Sequence, residues 1–260
     1  MHGIFNINQM KVRPLHPHAA LLLEHDDSRY IAVSDLHIGY ESELDEKGVT
    51  VGHSSARQMA ADLSQLAKRE RVSGIILLGD IKHRVGAITR QEWDDIPAFL
   101  KSLASVSQIY LVPGNHDGNI RHLVPQEVNM AGSKGMVIGN TLLVHGHAMP
   151  SELRAHVHRI VMGHIHPVFL KEGSVINGER VWIHIKAKKQ ALFSESGTVD
   201  IVVVPSFNQY LYASGSKSYR KSISPIISRL TSSPGSVQDC IVAALDGSIV
   251  GDTELLGNIV

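Results

Sequence analysis

The chain has 260 residues, 43% of them hydrophobic, which is enough to bury the core of one large or two small domains. Lys plus Arg and Asp plus Glu both number 25, so no overall charge favours nucleic acid or a membrane. The single cysteine, Cys240, excludes an internal disulfide framework and a thiolate zinc cluster. No apolar run approaches the roughly 20 residues that span a bilayer, and no signal peptide is visible, so we expect a soluble cytoplasmic protein without membrane contact.

Strand and helix patterns alternate in the first half of the chain. The run YIAVSD (30–35) predicts a buried strand, and residues 53–71 predict an amphipathic helix because apolar residues recur at helical spacing. A second strand, GIILLGD (74–80), precedes a second helix over residues 91–104, and QIYLVPGNHD (108–117) predicts a third strand. This order predicts parallel strands covered by helices.

After residue 130 the pattern changes to short strands joined by turns. Hairpins are predicted over Gly139–Asn140 and Asp246–Gly247, and the runs RIVMGHIH, RVWIHIK and TVDIVVVP predict further strands. Residues 214–235 are rich in Ser, Lys and Gly, and this composition predicts a flexible surface loop. We expect residues 1–260 to form a single domain.

Each buried strand ends in side chains that can bind a metal ion. In open α/β sheets ligands collect beyond the carboxyl ends of the strands, so these side chains should converge. Glycines at the same ends (Gly79, Gly114, Gly163) would let the backbone turn sharply there. The side chains in question are Asp35, His37, Asp80, Asn115, His116, Asp117, His145, His164 and His166.

The residue types indicate a divalent ion with oxygen and nitrogen ligands. Carboxylate, imidazole and amide oxygen together suit Mn²⁺, Fe²⁺ or Zn²⁺, and the absence of thiolate argues against a structural zinc. A carboxylate can bridge two ions, and two ions roughly 3.5–4 Å apart can clamp a phosphoryl group and activate water for attack in line on phosphorus. The pattern therefore predicts a site for two metal ions that suits phosphoryl chemistry.

The motifs SDLHIG, GDIKH, GNHDG, VHGH and GHIH, between Ile31 and Pro167, resemble the signature of the calcineurin-like metallophosphoesterases. The resemblance implies an α/β fold, a four-layer α/β/β/α sandwich of two mixed sheets, with the site at one edge. It also implies two divalent ions. One would be held by Asp35, His37 and His166, the other by Asn115, His145 and His164, and Asp80 would bridge them.

The resemblance assigns catalytic roles to His116, His83 and Asp117. His116 would be the general acid, or a charge stabiliser, at the leaving oxygen, held by a carboxylate or by His83. The histidine three residues after Asp80 is similar to that of the G-D-x-x-H motif in SbcD-type nucleases, where it supports the catalytic histidine. His147 is expected beside the ligands rather than among them.

Basic residues near the motifs are candidates for substrate binding. Arg84 and Arg121 adjoin site motifs, where a cation can steady a phosphate oxygen. The run IKAKK, with Lys186, Lys188 and Lys189, can contact a DNA backbone, although such a run is more often a solvated face.

The finer pattern, SDLHIGYE, GDIKH, GNHDG and VVPSFN, is similar to the ICC-like phosphoesterases associated with DNA ligase or Lhr-type helicases. That similarity implies a Mn²⁺-dependent phosphodiesterase or DNA endonuclease in DNA repair, with single-stranded DNA as substrate and a functional link to a helicase or ligase. Two alternatives stay open: a small-molecule phosphatase or cyclic-nucleotide phosphodiesterase, and a metal-free scaffold. The sequence leaves the oligomeric state open.

Overall fold

The first of two β-sheets contains six strands in chain order. The protein is described by a computed structural model that covers residues 10–46, 48, 55–212, 224–254 and 256. The strands are β1 (Lys11–Pro14), β2 (Leu21–His25), β3 (Ser28–Val33), β4 (Gly74–Leu78), β5 (Gln108–Val112) and β6 (Val128–Met130). The β1–β2 and β2–β3 pairs are antiparallel, and β3 to β6 run parallel, as the alternation of strands and helices predicts.

The second sheet contains seven strands and is mainly antiparallel. The strands are β7 (Met136–Ile138), β8 (Thr141–Leu143), β9 (Arg159–Met162), β10 (Val181–Lys188), β11 (Thr198–Val203), β12 (Val237–Ala244) and β13 (Ile249–Gly251). Their order is β13-β12-β10-β11-β9-β8-β7, with β11–β9 and β9–β8 parallel. Both predicted hairpins are present, β7–β8 over Gly139–Asn140 and β12–β13 over Asp246–Gly247.

Four α-helices flank the sheets in the described part of the chain: α1 (Tyr40–Glu46), α2 (Ser55–Glu70), α3 (Arg90–Ala104) and α4 (Pro225–Ser232). The predicted helix over residues 53–71 corresponds to α2, and its first two residues lie outside the described residues. A capping box opens α3: the Thr89 hydroxyl accepts a hydrogen bond from Glu92 N, and the Glu92 carboxylate accepts one from Thr89 N.

Strand residues alternate between two cores, and this produces four layers. Ile75 and Leu77 of β4 pack toward α2 and α3, whereas Ile76 and Leu78 pack toward the second sheet. Trp182 of β10 lies in the same core between the sheets. The outer face of the second sheet packs against α4. The protein is therefore an α/β/β/α sandwich of two mixed sheets, as the sequence resemblance implies.

The prediction of a surface loop over residues 214–235 is wrong for its second half. Residues 225–232 form α4, whose Ile226, Ile227 and Leu230 are buried against the second sheet. Residues 214–223 lie outside the described residues. No helix among the described residues is long and apolar enough to cross a membrane.

Candidate active site

The carboxyl ends of parallel strands from both sheets meet at one edge of the sandwich. In the first sheet, β3, β4 and β5 are parallel neighbours, and the loops that follow them carry Asp35, Asp80 and Asn115. In the second sheet, β8 and β9 are parallel neighbours, and the loops that follow them carry His145 and His164. The structure brings these strand ends together, as the strand order predicts.

Five of the converging side chains stand on left-handed backbone. Their φ angles are 59° at Asp35, 41° at His37, 51° at Asp80, 75° at His164 and 43° at His166. Residues other than glycine rarely adopt this region, at a cost of about 1–3 kcal/mol each. The surrounding fold holds these conformations, and such strain is concentrated at functional sites.

The glycines of the motifs serve mainly to leave space. Only Gly79 of the three has a positive φ, 81°, a conformation that favours glycine. A Cβ at Gly114 would lie 2.2 Å from Asp80 Oδ1, and a Cβ at Gly163 would lie 1.7 Å from Ser34 Oγ. These two positions exclude any side chain, and the ligand-bearing residues turn the chain instead.

One group of side chains, which we call the first pocket, consists of Asp35, His37, Asp80 and His166. All four are buried, and one ligand atom from each lies within 4.8 Å of the others. His166 Nε2 is 3.1 Å from Asp35 Oδ1 and 3.3 Å from His37 Nε2. His37 Nε2 is 3.6 Å from Asp80 Oδ2.

A second pocket consists of Asp80, His145 and His164, with Asn115 beside them. The ligand atoms of the first three lie within 4.8 Å of one another. His145 Nε2 is 3.3 Å from Asp80 Oδ2 and 3.1 Å from Asn115 Oδ1. Asp80 belongs to both pockets, which is the position that a bridging carboxylate requires.

Burial and charge shift the pKa values in both pockets. Burial opposes ionisation of Asp80 and Asp35, yet the neighbouring imidazoles outweigh it and hold both pKa values below the usual range. Burial also disfavours charged His145, but the two carboxylates raise its pKa to about 9. Burial lowers the pKa of His37, and burial with His145 lowers that of His164 to about 4.

The two pockets fit divalent metal ions. His37 Nε2 and His166 Nε2 lie 3.3 Å apart, with carboxylates beside them. Together these atoms can donate electron pairs to one metal ion. Nitrogen and oxygen donors of this kind suit borderline divalent ions. Asp35 and Asp80 supply negative charge in a buried position, which a bound cation would compensate.

His116 lies beside the shared carboxylate. Its backbone N–H donates to Asp80 Oδ1 at 2.9 Å, and its Nε2 is 3.9 Å from Asp80 Oδ2. Its Nδ1 is hydrogen-bonded to the main-chain carbonyl of His83. The imidazole of His83 instead faces His37 and Glu43. The main chain of His83 therefore contacts His116, and support of His116 by the His83 side chain stays a prediction.

Asp117 accepts main-chain hydrogen bonds from two of the site loops. Its Oδ1 accepts hydrogen bonds from Ile81 N at 2.9 Å and Lys82 N at 3.2 Å, and its Oδ2 accepts one from Gly114 N at 2.8 Å. The residue is 5% exposed. Asp117 therefore ties the loop after β4 to the loop after β5, and its catalytic role stays a prediction.

A family model described as calcineurin-like phosphoesterase matches residues 28–210, more than half of the chain. The chain belongs to the calcineurin-like phosphoesterases. It is accordingly a metal-dependent hydrolase of phosphate esters, and the two pockets form its candidate site for divalent ions.

One solved structure supports this fold, and a second is less similar. The Pseudomonas putida nuclease MPE matches with a TM-score of 0.50 and 17% sequence identity, over 92% of this chain and 100% of that chain. The phosphoesterase Yfce from E. coli matches with a TM-score of 0.39 and 15% identity, over 86% of this chain and 97% of that chain. At these identities the likeness concerns the fold alone, and only the first match is close enough to bear on it. No curated protein matches the chain.

Other side chains of this calcineurin-like phosphoesterase hold the ligand loops in place, and no role was predicted for them from the sequence. In the VVPSFN segment, Ser206 Oγ donates to Asp35 O at 2.9 Å, and Asn208 Nδ2 donates to Leu36 O at 2.8 Å. The fully buried Glu92 accepts hydrogen bonds from His83 N and Arg84 N at 3.0 and 2.9 Å. The capping-box spacing T-x-x-E was a readable signal for Glu92.

The basic residues that were predicted as candidates for substrate binding fall into two groups in this phosphoesterase. Arg84 and Arg121 are exposed, in the loop after His83 and in the short 3-10 turn after Asp117, and their binding of substrate stays a prediction. The sequence leaves the lysine run open between contact with a DNA backbone and a solvated face, and Lys189 fits neither. Lys189 is buried and donates to Ala155 O at 2.8 Å and Glu195 Oε2 at 3.0 Å.

Lys186 and Lys188 lie at the wrong end of the second sheet for contact with substrate at the pockets. They pair with Asp200 and Thr198, at the beginning of β11, whereas the ligand loops leave the opposite end of that strand. His147 lies beside the second pocket, as expected, with ring centroids 5.3 Å from His145.

Proposed function

We propose that the protein is a Mn²⁺-dependent phosphodiesterase that cleaves DNA, with single-stranded DNA as its substrate. The observation that carries the proposal is the pair of histidine-rich pockets that share Asp80, with His116 beside the shared carboxylate. The likeness in fold to a protein named as a nuclease supports the choice of nucleic acid over a small ester.

In this proposal each pocket holds one divalent ion. Asp35, His37 and His166 would hold the first ion, and Asn115, His145 and His164 the second, with Asp80 on both. When bound, the ions supply Lewis-acid activation of water and stabilisation of charge on the phosphoryl group. Mn²⁺ accepts this mixture of nitrogen and oxygen ligands; Fe²⁺ and Zn²⁺ are the alternatives.

His116 would protonate the leaving oxygen. Its Nδ1–H is engaged by the His83 carbonyl, which leaves Nε2 as the atom that carries and delivers a proton on the pocket side. Arg84 and Arg121, both exposed near the site loops, would steady phosphate oxygens outside the pockets.

We also propose a cellular role for the protein. The similarity of GDIKH and VVPSFN to the ICC-like phosphoesterases supports a role in DNA repair with a functional link to a helicase or ligase. The chain would act as a single domain, since β12 and β13, which follow residue 210, complete the second sheet.

The test is incubation of the purified protein with circular single-stranded DNA and Mn²⁺. We expect linear fragments with the wild type, and none with chelator or with Asp80→Asn. A circle has no end, so its cleavage establishes an endonuclease. If the circle stays intact while linear DNA is degraded, the enzyme is an exonuclease. If only mononucleotides or small phosphate esters are hydrolysed, the DNA assignment is wrong, and the protein is a small-molecule phosphatase or phosphodiesterase instead.

A further inference from the structure

Three side chains form a hydrogen-bonded line that leads away from the first pocket. His83 Nε2 is 2.7 Å from Glu43 Oε2, and His83 Nδ1 is 3.4 Å from His37 Nδ1. The other nitrogen of His37, Nε2, faces Asp80 and His166. The line therefore begins at a carboxylate of α1 and ends at a side chain of the pocket.

If His37 binds a metal ion, its coordination fixes where the protons along this line lie. An imidazole that binds a metal through Nε2 must carry its proton on Nδ1. His37 would then donate from Nδ1 to the unprotonated Nδ1 of His83. His83 carries its own proton on Nε2 and donates it to Glu43, which as a carboxylate can only accept. Donors and acceptors thus alternate without conflict.

The neighbouring structure holds His83 in this line. Its backbone N–H donates to the buried Glu92 at 3.0 Å, and the ring of Tyr40 packs against it with centroids 5.0 Å apart. The His83 side chain is 14% exposed, and that of Glu43 is 32% exposed. His83 cannot easily turn away, so its tautomer is decided by what faces Nε2.

We propose that Glu43 is a positioning residue, which fixes the tautomer of His83 and through it the metal-binding tautomer of His37. Without Glu43, His83 can carry its proton on Nδ1, where it would face the Nδ1 proton of His37. That donor–donor contact disfavours the form of His37 that binds the ion. The inference rests on the proposed function, because it takes His37 as a ligand of the first ion.

The primary test is the affinity for Mn²⁺, measured by calorimetric titration of the metal-depleted protein. Residues that support a metal ligand typically contribute about 10–100-fold in affinity. We expect Glu43→Ala to weaken the first ion by about that factor and to leave the second within about twofold. Glu43→Gln retains an acceptor oxygen, so it should restore most of the lost affinity. Asp45→Ala, an exposed carboxylate of the same helix, is the matched control and should bind both ions as the wild type does.

A second readout reports the tautomer directly. In the zinc-loaded protein, ¹⁵N NMR of the imidazoles should show His83 protonated at Nε2 in the wild type and in Glu43→Gln, and a shift toward Nδ1 in Glu43→Ala. Thermal melting in chelator checks that both variants fold; Glu43→Ala should melt below Asp45→Ala, because it loses its hydrogen bond with His83 even without the ion.

The outcomes separate this inference from the proposed function. If Glu43→Ala binds both ions as tightly as the wild type, or if the tautomer of His83 does not change, the positioning role is wrong. If His37→Ala also binds the first ion as tightly as the wild type, the ligand assignment itself fails, and with it the metal site of the proposed function.

Discussion

The two pockets share Asp80 but differ in how their histidines are held. In the second pocket, His145 Nδ1 is 2.8 Å from the main-chain carbonyl of Leu78 in β4. In the first pocket, His37 Nδ1 faces another side chain, that of His83. A carbonyl of a central strand is present whatever the side chains are, so the fold itself orients His145. The first pocket depends on side chains that substitution can remove.

The largest effect is expected at the residue that the pockets share. Asp80→Asn keeps an oxygen that can accept the hydrogen bond from His116 N but removes the charge on which both pockets depend. We expect both ions to be lost and DNA cleavage to fall by about 10⁴-fold or more. Metal analysis after dialysis against Mn²⁺, with cleavage of circular DNA, checks this. Retention of one ion at wild-type affinity would show that the pockets are independent.

Two histidines only two positions apart allow the pockets to be separated. His166→Ala should abolish binding of the first ion, because this side chain is 3.1 Å from Asp35 and 3.3 Å from His37. His164→Ala should abolish binding of the second ion, because a ligand atom of His164 lies within 4.8 Å of those of His145 and Asp80. Each loss should exceed the about 10–100-fold that a supporting residue contributes.

The measurement is a two-step calorimetric titration with Mn²⁺. His37→Ala and His145→Ala serve as reference variants for the first and the second step. Loss of the same step in His164→Ala and His166→Ala would contradict the division into two pockets.

Removal of His116 should spare both pockets. Its side chain is part of the rim, 23% exposed, and in the proposed function it acts on the leaving group. For His116→Ala we expect wild-type Mn²⁺ binding and a fall in turnover of about 10²–10⁴-fold, largest for substrates with poor leaving groups. His122→Ala, an exposed histidine in the turn that follows, is the control. Cleavage at the wild-type rate would remove His116 from the mechanism.

The second pocket should make the metal-depleted protein sensitive to alkaline pH. Folding raises the pKa of His145 from 6.5 to about 9, so its charged form stabilises the fold fully below pH 6.5 and ceases to do so as the pH rises through 9. The other described histidines with shifted pKa values have them lowered, so their unfolded-state protonation disappears as the pH rises past 6.5, and above about pH 7.5 they are neutral in both states.

The free energy of unfolding in chelator should therefore fall by about 1.5 kcal/mol between pH 7.5 and 9. Urea denaturation at a series of pH values measures it. His145→Gln should flatten the profile, and an equally steep fall in that variant would assign the effect to another group.

The smallest effect is expected outside both pockets. Arg121→Ala should raise KM for DNA by about three- to tenfold with little change in kcat, and it should reduce the salt dependence of KM, since an exposed cation contributes mainly to binding of phosphate. Lys186→Ala, at the far end of the second sheet, is the matched control and should change neither. An equal effect of both substitutions would mean that the path of the DNA is misassigned.

Local patterns were sufficient to predict much of the fold. The run GIILL reads as a fully buried strand because every residue is apolar and Gly and Asp follow, and the two hairpins were visible in Gly139–Asn140 and Asp246–Gly247. The helix at 225–232 was missed because the serine-rich composition obscured Ile226, Ile227 and Leu230, although Ser-Pro before them is a helix-start signal.

The ligand types and their order along the chain were also readable, because metal chemistry restricts them to a few residues and parallel strands end at one edge. Which ligands share a pocket, and what supports each of them, depended on the fold. Glu43, Asp117 and Lys189 illustrate this: their partners lie 40, 36 and 34 residues away. The sequence alone does not show whether a carboxylate holds a loop, orients a histidine or binds an ion. Only its neighbours in the folded structure distinguish these roles.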